Sequence, residues 1–263
     1  MLLKRLDMRS IAHVCHPPTR QVERSVTVLV YVSDHGRTHG HPKIELTWLL
    51  KKVRPPNADL YSDSDLVRSY VSSLVRAGRT VVAIMHSYGG QVGSNALVGL
   101  GVASRAEKGL PGGVARLVYV AAAAVPEGTA MMDKVKEFGH MDLVPLAFDF
   151  ADDGTCVSND PKTLLVGSGA SDAEVESYLA TLVRWNGRGM YMPLQNAAWR
   201  DIPAAYVYCS EDMTVPLDYQ KSFVQTLETT GREVPTVELA TGHCPNLTAT
   251  EGLVDAIKEV LSV

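Results

Sequence analysis

The chain has 263 residues, 46% of them hydrophobic and 21% charged, with a formal net charge of −4. That balance excludes a disordered chain, and a slight acidity with both signs scattered gives no electrostatic footprint for nucleic acid or an anionic membrane surface. No apolar run nears the ~20 residues that span a bilayer, and Cys15, Cys156, Cys209 and Cys244 are too widely spaced for a CxxC pair, so reduced thiols in a cytoplasmic protein are expected rather than a disulfide framework.

Residues 1–25 lack the continuous apolar core of a secretory signal and read as a loose or strand-like leader. The first strand is expected at Val26 to Val32, apolar throughout as in a strand covered on both faces. The loop from Ser33 to Pro42 carries His35, His39 and His41 beside Asp34, a spacing that fits no zinc signature, and it reads as solvated loop rather than metal site. Asp63 or Ser64 is expected to cap a helix that runs to about Ala77 and closes at Gly78. A strand at Thr80 to Met85 leads into His86-Ser87-Tyr88-Gly89-Gly90 and a helix from Gln91 to about Leu100. Gly89, Gly90 and Gly93 miss the GxGxxG spacing, which speaks against a dinucleotide loop.

Further strands are expected at Ala115 to Ala122, Ala204 to Cys209 and Pro235 to Leu239, and a last helix at Glu251 to Leu261. Between the third and fourth strands, residues 126–202 show no strong strand signal, and a helical stretch from Asp172 to Arg184 suggests an inserted helical lid. Strands alternating with helices predict an α/β architecture, a mostly parallel sheet with helices on both faces, in one domain over 26–263.

A serine hydroxyl is a weak nucleophile at neutral pH unless a base lies within hydrogen-bond reach and a carboxylate orients that base. A strand–serine–helix turn exposes the hydroxyl on a sharp bend where backbone N–H groups face developing negative charge. Ser87 sits in such a turn, although a serine there could also simply cap the helix. The strand AAYVYC ends in Ser210-Glu211-Asp212, and PTVEL ends in Ala240-Thr241-Gly242-His243. Serine, acid and histidine therefore all fall at the C-terminal ends of strands, where open α/β sheets bind ligands. Glu211 is the rival acid, and Cys244 reads as a packing thiol beside His243.

With these pieces in order, the chain resembles the α/β-hydrolase superfamily, in its branch of small esterases and hydroxynitrile-lyase-like proteins. The resemblance rests on VLVYVSDH, MHSYGGQVG, RLVYVAAAAVPEG, AAWRDIP, YCSEDMTVP and ATGHCPNLT, spread from about residue 26 to the C-terminus. It implies the α/β-hydrolase fold, with Ser87 as nucleophile, His243 as general base and then acid, and Asp212 as its orienter. It also implies an oxyanion hole from the backbone N–H groups of Tyr88 and Ser33. Met85 departs from the small residue usual two positions before the nucleophile, and Tyr31-Val32-Ser33-Asp34-His35 departs from the usual first-strand loop.

The expected activity is hydrolysis of a small, largely apolar carboxylic ester or lactone through an acyl-enzyme, without a cofactor or metal. Two other readings stand beside it: a repurposed lyase, cyclase or C–C bond hydrolase of secondary metabolism, and a non-catalytic ligand-binding protein. Trp185, Tyr191 and Trp199 in the lid either pack in the core or line the substrate pocket. The expected partner is the small-molecule substrate, with no nucleic acid and no membrane, and a homodimer is compatible with the sequence.

Overall fold

The computed structural model describes residues 27–33, 43–45, 56, 58–182 and 184–262. The leader at 1–25 and the three histidines of the 33–42 loop lie outside the described residues.

A six-stranded sheet forms the centre, from β1 (Thr27–Ser33), β2 (Lys43–Glu45), β3 (Thr80–His86), β4 (Gly113–Val120), β8 (Ala204–Cys209) and β9 (Thr236–Leu239), in the order β2-β1-β3-β4-β8-β9. β3, β4, β8 and β9 run parallel. β1 pairs antiparallel with both β2 and β3, so the sheet is mostly rather than wholly parallel.

Alternation along each strand divides the core between two faces. Ala83, Met85, Leu117, Tyr119 and Tyr206 point to one side. There they meet α1 (Leu60–Arg76), α2 (Gly89–Ala96) and α7 (Leu217–Glu228), through residues such as Val67, Val71, Val92, Phe223 and Leu227. Ile84, Val118, Val120, Ala205 and Val207 point to the other side, against Leu253, Val254, Ile257 and Leu261 of α9 (Thr250–Ser262). A short α3 (Val102–Ala106) leads back into β4.

α1 begins earlier than its expected caps. Asp59 is the N-cap, its carboxylate accepting from the N–H groups of Tyr61 and Ser62 at 3.0 Å each. Ser64 lies inside the helix and turns its hydroxyl back to the carbonyl of Leu60 at 2.7 Å, and Asp63 sits in the first turn, where the helix dipole favours an acid.

The segment between β4 and β8 is not purely helical. It contains α4 (Met131–Glu137), α5 (Val144–Ala147) and α6 (Asp172–Leu179), and also an antiparallel sheet of β5 (Phe148–Phe150), β6 (Thr155–Ser158) and β7 (Trp185–Asn186) in the order β5-β6-β7. Strands of two to four residues are too short to register as a period-2 pattern. What holds them is Arg184, which donates to the Asp149 carboxylate at 2.6 Å, the Asp149 carbonyl at 2.8 Å and the Thr155 carbonyl at 3.2 Å. The expected helix over Asp172 to Arg184 ends at Leu179, and beyond it Arg184 is bonded to that small sheet and Trp185 begins its third strand. α8 (Pro245–Thr248) joins the end of β9 to α9.

Candidate active site

β3 ends at His86, and the chain then turns sharply into α2. Ser87 occupies the left-handed region at φ 55°, a conformation that costs a non-glycine residue about 1–3 kcal/mol and persists only where its surroundings enforce it. Here the Ser87 N–H donates to the Val120 carbonyl at 3.3 Å, and the Ser87 carbonyl accepts from Gly90 at 3.0 Å and Ala123 at 3.2 Å. Gly90 permits this approach, because a Cβ there would lie 2.6 Å from the Ala123 carbonyl oxygen. Gly93 makes room in turn for the Met85 thioether, so the large residue two positions before Ser87 is accommodated one helical turn further on.

The loops after β8 and β9 bring two more side chains to this turn. His243 Nε2 lies 2.8 Å from Ser87 Oγ, and His243 Nδ1 lies 2.7 Å from Asp212 Oδ2. The other carboxylate oxygen of Asp212 accepts from the N–H groups of Thr214 and Val215 at 2.8 Å each. Asp212 and His243 are both buried. With both oxygens engaged, the carboxylate is held in one orientation, and it fixes the proton of His243 on Nδ1, leaving Nε2 as acceptor toward Ser87. Glu211, the rival acid, is exposed and faces Ser168 at 3.4 Å instead.

Nothing in the sequence pattern distinguishes His86 beyond its place directly before the serine. Its Nε2–H donates to the His243 carbonyl at 2.6 Å, and the two rings lie 4.7 Å apart. Burial, reinforced by the neighbouring His243, pushes its pKa down to about 3. His86 is therefore a neutral tether on the backbone of His243.

A cavity of about 150 Å³ opens over Ser87 and His243. Its walls come chiefly from the segment between β4 and β8, including Met131, Met132, Phe148, Leu165, Trp185 and Met190. Trp185 thus lines the cavity, as one of its two expected settings. Tyr191 and Trp199 do not. Tyr191 is 47% exposed on the outer surface, whereas Trp199 is buried in the core, its indole N–H donating to the Val125 carbonyl at 3.3 Å. Cys244 is buried, with its sulfur 3.3 Å from the Tyr178 hydroxyl. Among the described residues no group of three or more His, Cys, Asp or Glu side chains could hold a metal ion.

The two expected oxyanion donors have different fates. Tyr88 is the N-cap of α2 and has no side-chain cap across it, so its backbone sits beside Ser87 at the positive end of that helix. Ser33 pairs with Thr80, whereas Val28 pairs with Met85. The antiparallel course of β1 therefore sets Ser33 at the end of β3 remote from Ser87, seven residues or roughly 23 Å along the chain. Ser33 is not at the site.

The Tyr88 side chain runs under the cavity wall, 5.6 Å from the Trp185 ring. Gly189 leaves space for its phenol, since a Cβ there would lie 2.6 Å from the hydroxyl oxygen. That hydroxyl lies close enough to Asp63 on α1 for the two groups to influence each other's ionisation. Burial, with repulsion from Asp59, pushes the Asp63 carboxyl up to about 7, outweighing the opposing effect of the Tyr88 hydroxyl.

Comparison with known proteins agrees with this architecture. A family model described as "Alpha/beta hydrolase family" matches residues 19–256. "Probable hydrolase R7" of Phoma sp. is 29% identical over 238 residues, covering 89% of this chain and 92% of the relative. "Alpha/beta hydrolase nvfD" of Aspergillus novofumigatus is 28% identical over 167 residues, covering 62% and 63% of the two chains. Among solved structures, polyneuridine aldehyde esterase superposes with a TM-score of 0.58 at 17% identity, covering 78% of this chain and 80% of that one. An extracellular α/β-hydrolase from a Paenibacillus species gives 0.58 at 18% identity with the same coverages. The methylesterase MES16 of Arabidopsis gives 0.56 at 14% identity, with 78% of each chain covered. Among the described residues no helix is long and apolar enough to cross a membrane.

Proposed function

Because the chain belongs to the alpha/beta hydrolase family, we propose that it is a serine hydrolase that cleaves a small, largely apolar carboxylic ester or lactone through an acyl-enzyme. The observation that carries this reading is His243, which bridges Ser87 at 2.8 Å and a doubly anchored Asp212 at 2.7 Å beneath an apolar cavity.

In the proposed cycle, His243 Nε2 takes the Ser87 proton as the hydroxyl oxygen attacks the ester carbonyl. The Nδ1–H remains hydrogen-bonded to Asp212, which stabilises the imidazolium. Negative charge on the carbonyl oxygen develops beside the Tyr88 N–H and the start of α2, where a preformed donor is worth about 2.7–4 kcal/mol in the transition state. His243 then protonates the leaving alkoxide and the C–O bond breaks. Water, deprotonated by His243, attacks the acyl-enzyme and releases the acid, returning the proton to Ser87. In a lactone both products remain one molecule, a hydroxy acid.

The segment between β4 and β8 acts as a lid in this reading. It supplies most of the cavity wall and keeps water from the acyl-enzyme except as reactant. The esterases among the structural neighbours share the fold, and their names are consistent with ester chemistry here.

A test is the release of p-nitrophenol from p-nitrophenyl esters in the first seconds after mixing. The proposal expects a burst stoichiometric with enzyme, absent in Ser87→Ala, and covalent labelling of Ser87 by a small phosphonate. Labelling without steady turnover on any ester or lactone would instead mark Ser87 and His243 as an acid–base pair for another reaction. No labelling at all would overturn the serine mechanism.

A further inference from the structure

The cavity is not uniformly apolar, and its polar atoms are not all employed. Thr214 spends its hydroxyl on the Leu164 carbonyl at 2.7 Å, and Tyr178 sits against the Cys244 sulfur. Ser158, at the end of β6, also lines the cavity. Its hydroxyl oxygen is the single buried side-chain nitrogen or oxygen among the described residues that has no hydrogen-bond partner.

Burying a hydroxyl without a partner is unfavourable, because the hydrogen bonds it made to water in the unfolded chain are lost without replacement. Nothing in the packing requires it. Ser158 stands opposite Phe148 in the register of β5 and β6, and Val157 and Leu165 line the same cavity. An alanine would fill that hydrocarbon surface equally well. A hydroxyl on a cavity-lining residue that has no protein partner, and that a rotation about χ1 can turn toward a bound molecule, is therefore suited to a group brought by the ligand.

Building on the hydrolase reading of Ser87, we propose that Ser158 is a specificity-determining residue that hydrogen-bonds an oxygen of the substrate away from the scissile ester. The substrate is then not a plain hydrocarbon ester. It carries a ketone, hydroxyl or ether oxygen on an otherwise apolar skeleton, and Ser158 reads its position while Met131, Met132, Trp185 and Met190 enclose the carbon frame.

The test uses matched p-nitrophenyl and phenyl esters of equal length, with or without a ketone at successive positions on the acyl or the alcohol portion. Wild-type protein is expected to favour at least one ketone-bearing member over its plain counterpart by about fivefold to tenfold in kcat/KM. Ser158→Ala should abolish that preference while leaving the plain esters within about twofold, and Ser158→Thr, which keeps a hydroxyl, should restore part of it. The same ligands are titrated by tryptophan fluorescence into Ser87→Ala and Ser87→Ala/Ser158→Ala. The binding arm asks about Ser158 even if Ser87 proves not to hydrolyse esters. A preference in binding that depends on Ser158 without any turnover would sink the hydrolase reading alone. The absence of any ketone preference in wild-type protein, or an equal loss on plain and oxygenated ligands in Ser158→Ala, would overturn the assignment of Ser158.

Discussion

Asp63→Asn is expected to stabilise the protein at pH 8 and to do so by less than half as much at pH 5. The Asp63 carboxyl moves from 3.8 to about 7 on folding, chiefly through burial and secondly through repulsion from Asp59. The folded state thus holds its proton more tightly than the unfolded chain. The stability this proton contributes is complete below pH ~4 and is lost as pH rises through about 7. A gap of that size corresponds to a ceiling of about 4 kcal/mol. Asp63 keeps partial contact with solvent, so about 2–3 kcal/mol is the working figure once water screens the charge.

Asparagine is close in shape, stays neutral at every pH and can still meet the Tyr88 hydroxyl. It forfeits the favourable interaction of an ionised acid with the first turn of α1, worth about 0.3–1 kcal/mol. The net gain at pH 8 is therefore about 1–2.5 kcal/mol, or roughly 2–6 °C in Tm for a domain of this size. Thermal denaturation at pH 5 and pH 8, followed by circular dichroism, measures it. An equal Tm difference at the two pH values, or a loss of stability at pH 8, would refute the claim that Asp63 is held protonated by its surroundings.

Three further outcomes follow from the site. Asp212→Asn should retain the fold but lower kcat by about 10³–10⁴-fold, because an amide at that position no longer holds the His243 proton on Nδ1; single-turnover hydrolysis of a p-nitrophenyl ester reads the loss. His86 is neutral in the folded state, with its pKa depressed to about 3. Its contribution to stability is present above pH ~6.5 and declines as pH falls toward 3, so His86→Gln should flatten the acid limb of a urea-denaturation series. Gly90→Ala drives a Cβ to 2.6 Å from a backbone carbonyl, whereas the obstacle at Gly93 is the side chain of Met85. Gly90→Ala should accordingly destabilise by several kcal/mol and cost more than Gly93→Ala, a ranking that chemical denaturation checks directly.

What the sequence made legible divides along physical lines. The elbow at Ser87 is a local structure, because a buried strand, a serine, paired glycines and a helix follow one another without interruption. His243 and Asp212 are remote from it in the chain, yet parallel strands deliver their C-terminal ends to one edge, so strand position alone located both side chains. The direction of β1 was not legible. An apolar β-branched run shows that a strand forms, and it carries no record of which way that strand runs against its neighbour. Reversing it exchanges its two ends, and Ser33 goes with them.

Residues in the inserted segment were harder for a different reason. Aromatic content marks Trp185, Tyr191 and Trp199 alike, and only tertiary packing decides that the first faces the cavity, the second faces water and the third joins the core. Asp63 and Tyr88 are ordinary residues on a helix and in a turn until the fold sets them side by side and removes water. The same holds for Ser158, whose hydroxyl acquires meaning only because the strand carrying it ends at a cavity wall. The machinery expected to break an ester is thus written in short motifs, while the features expected to choose the ester arise from contacts between segments with no sequence pattern in common. Relatives of this chain that keep HSYGG and TGHCP while varying at 158 and 185 are therefore expected to retain reactivity toward activated esters and to differ in which skeletons they accept.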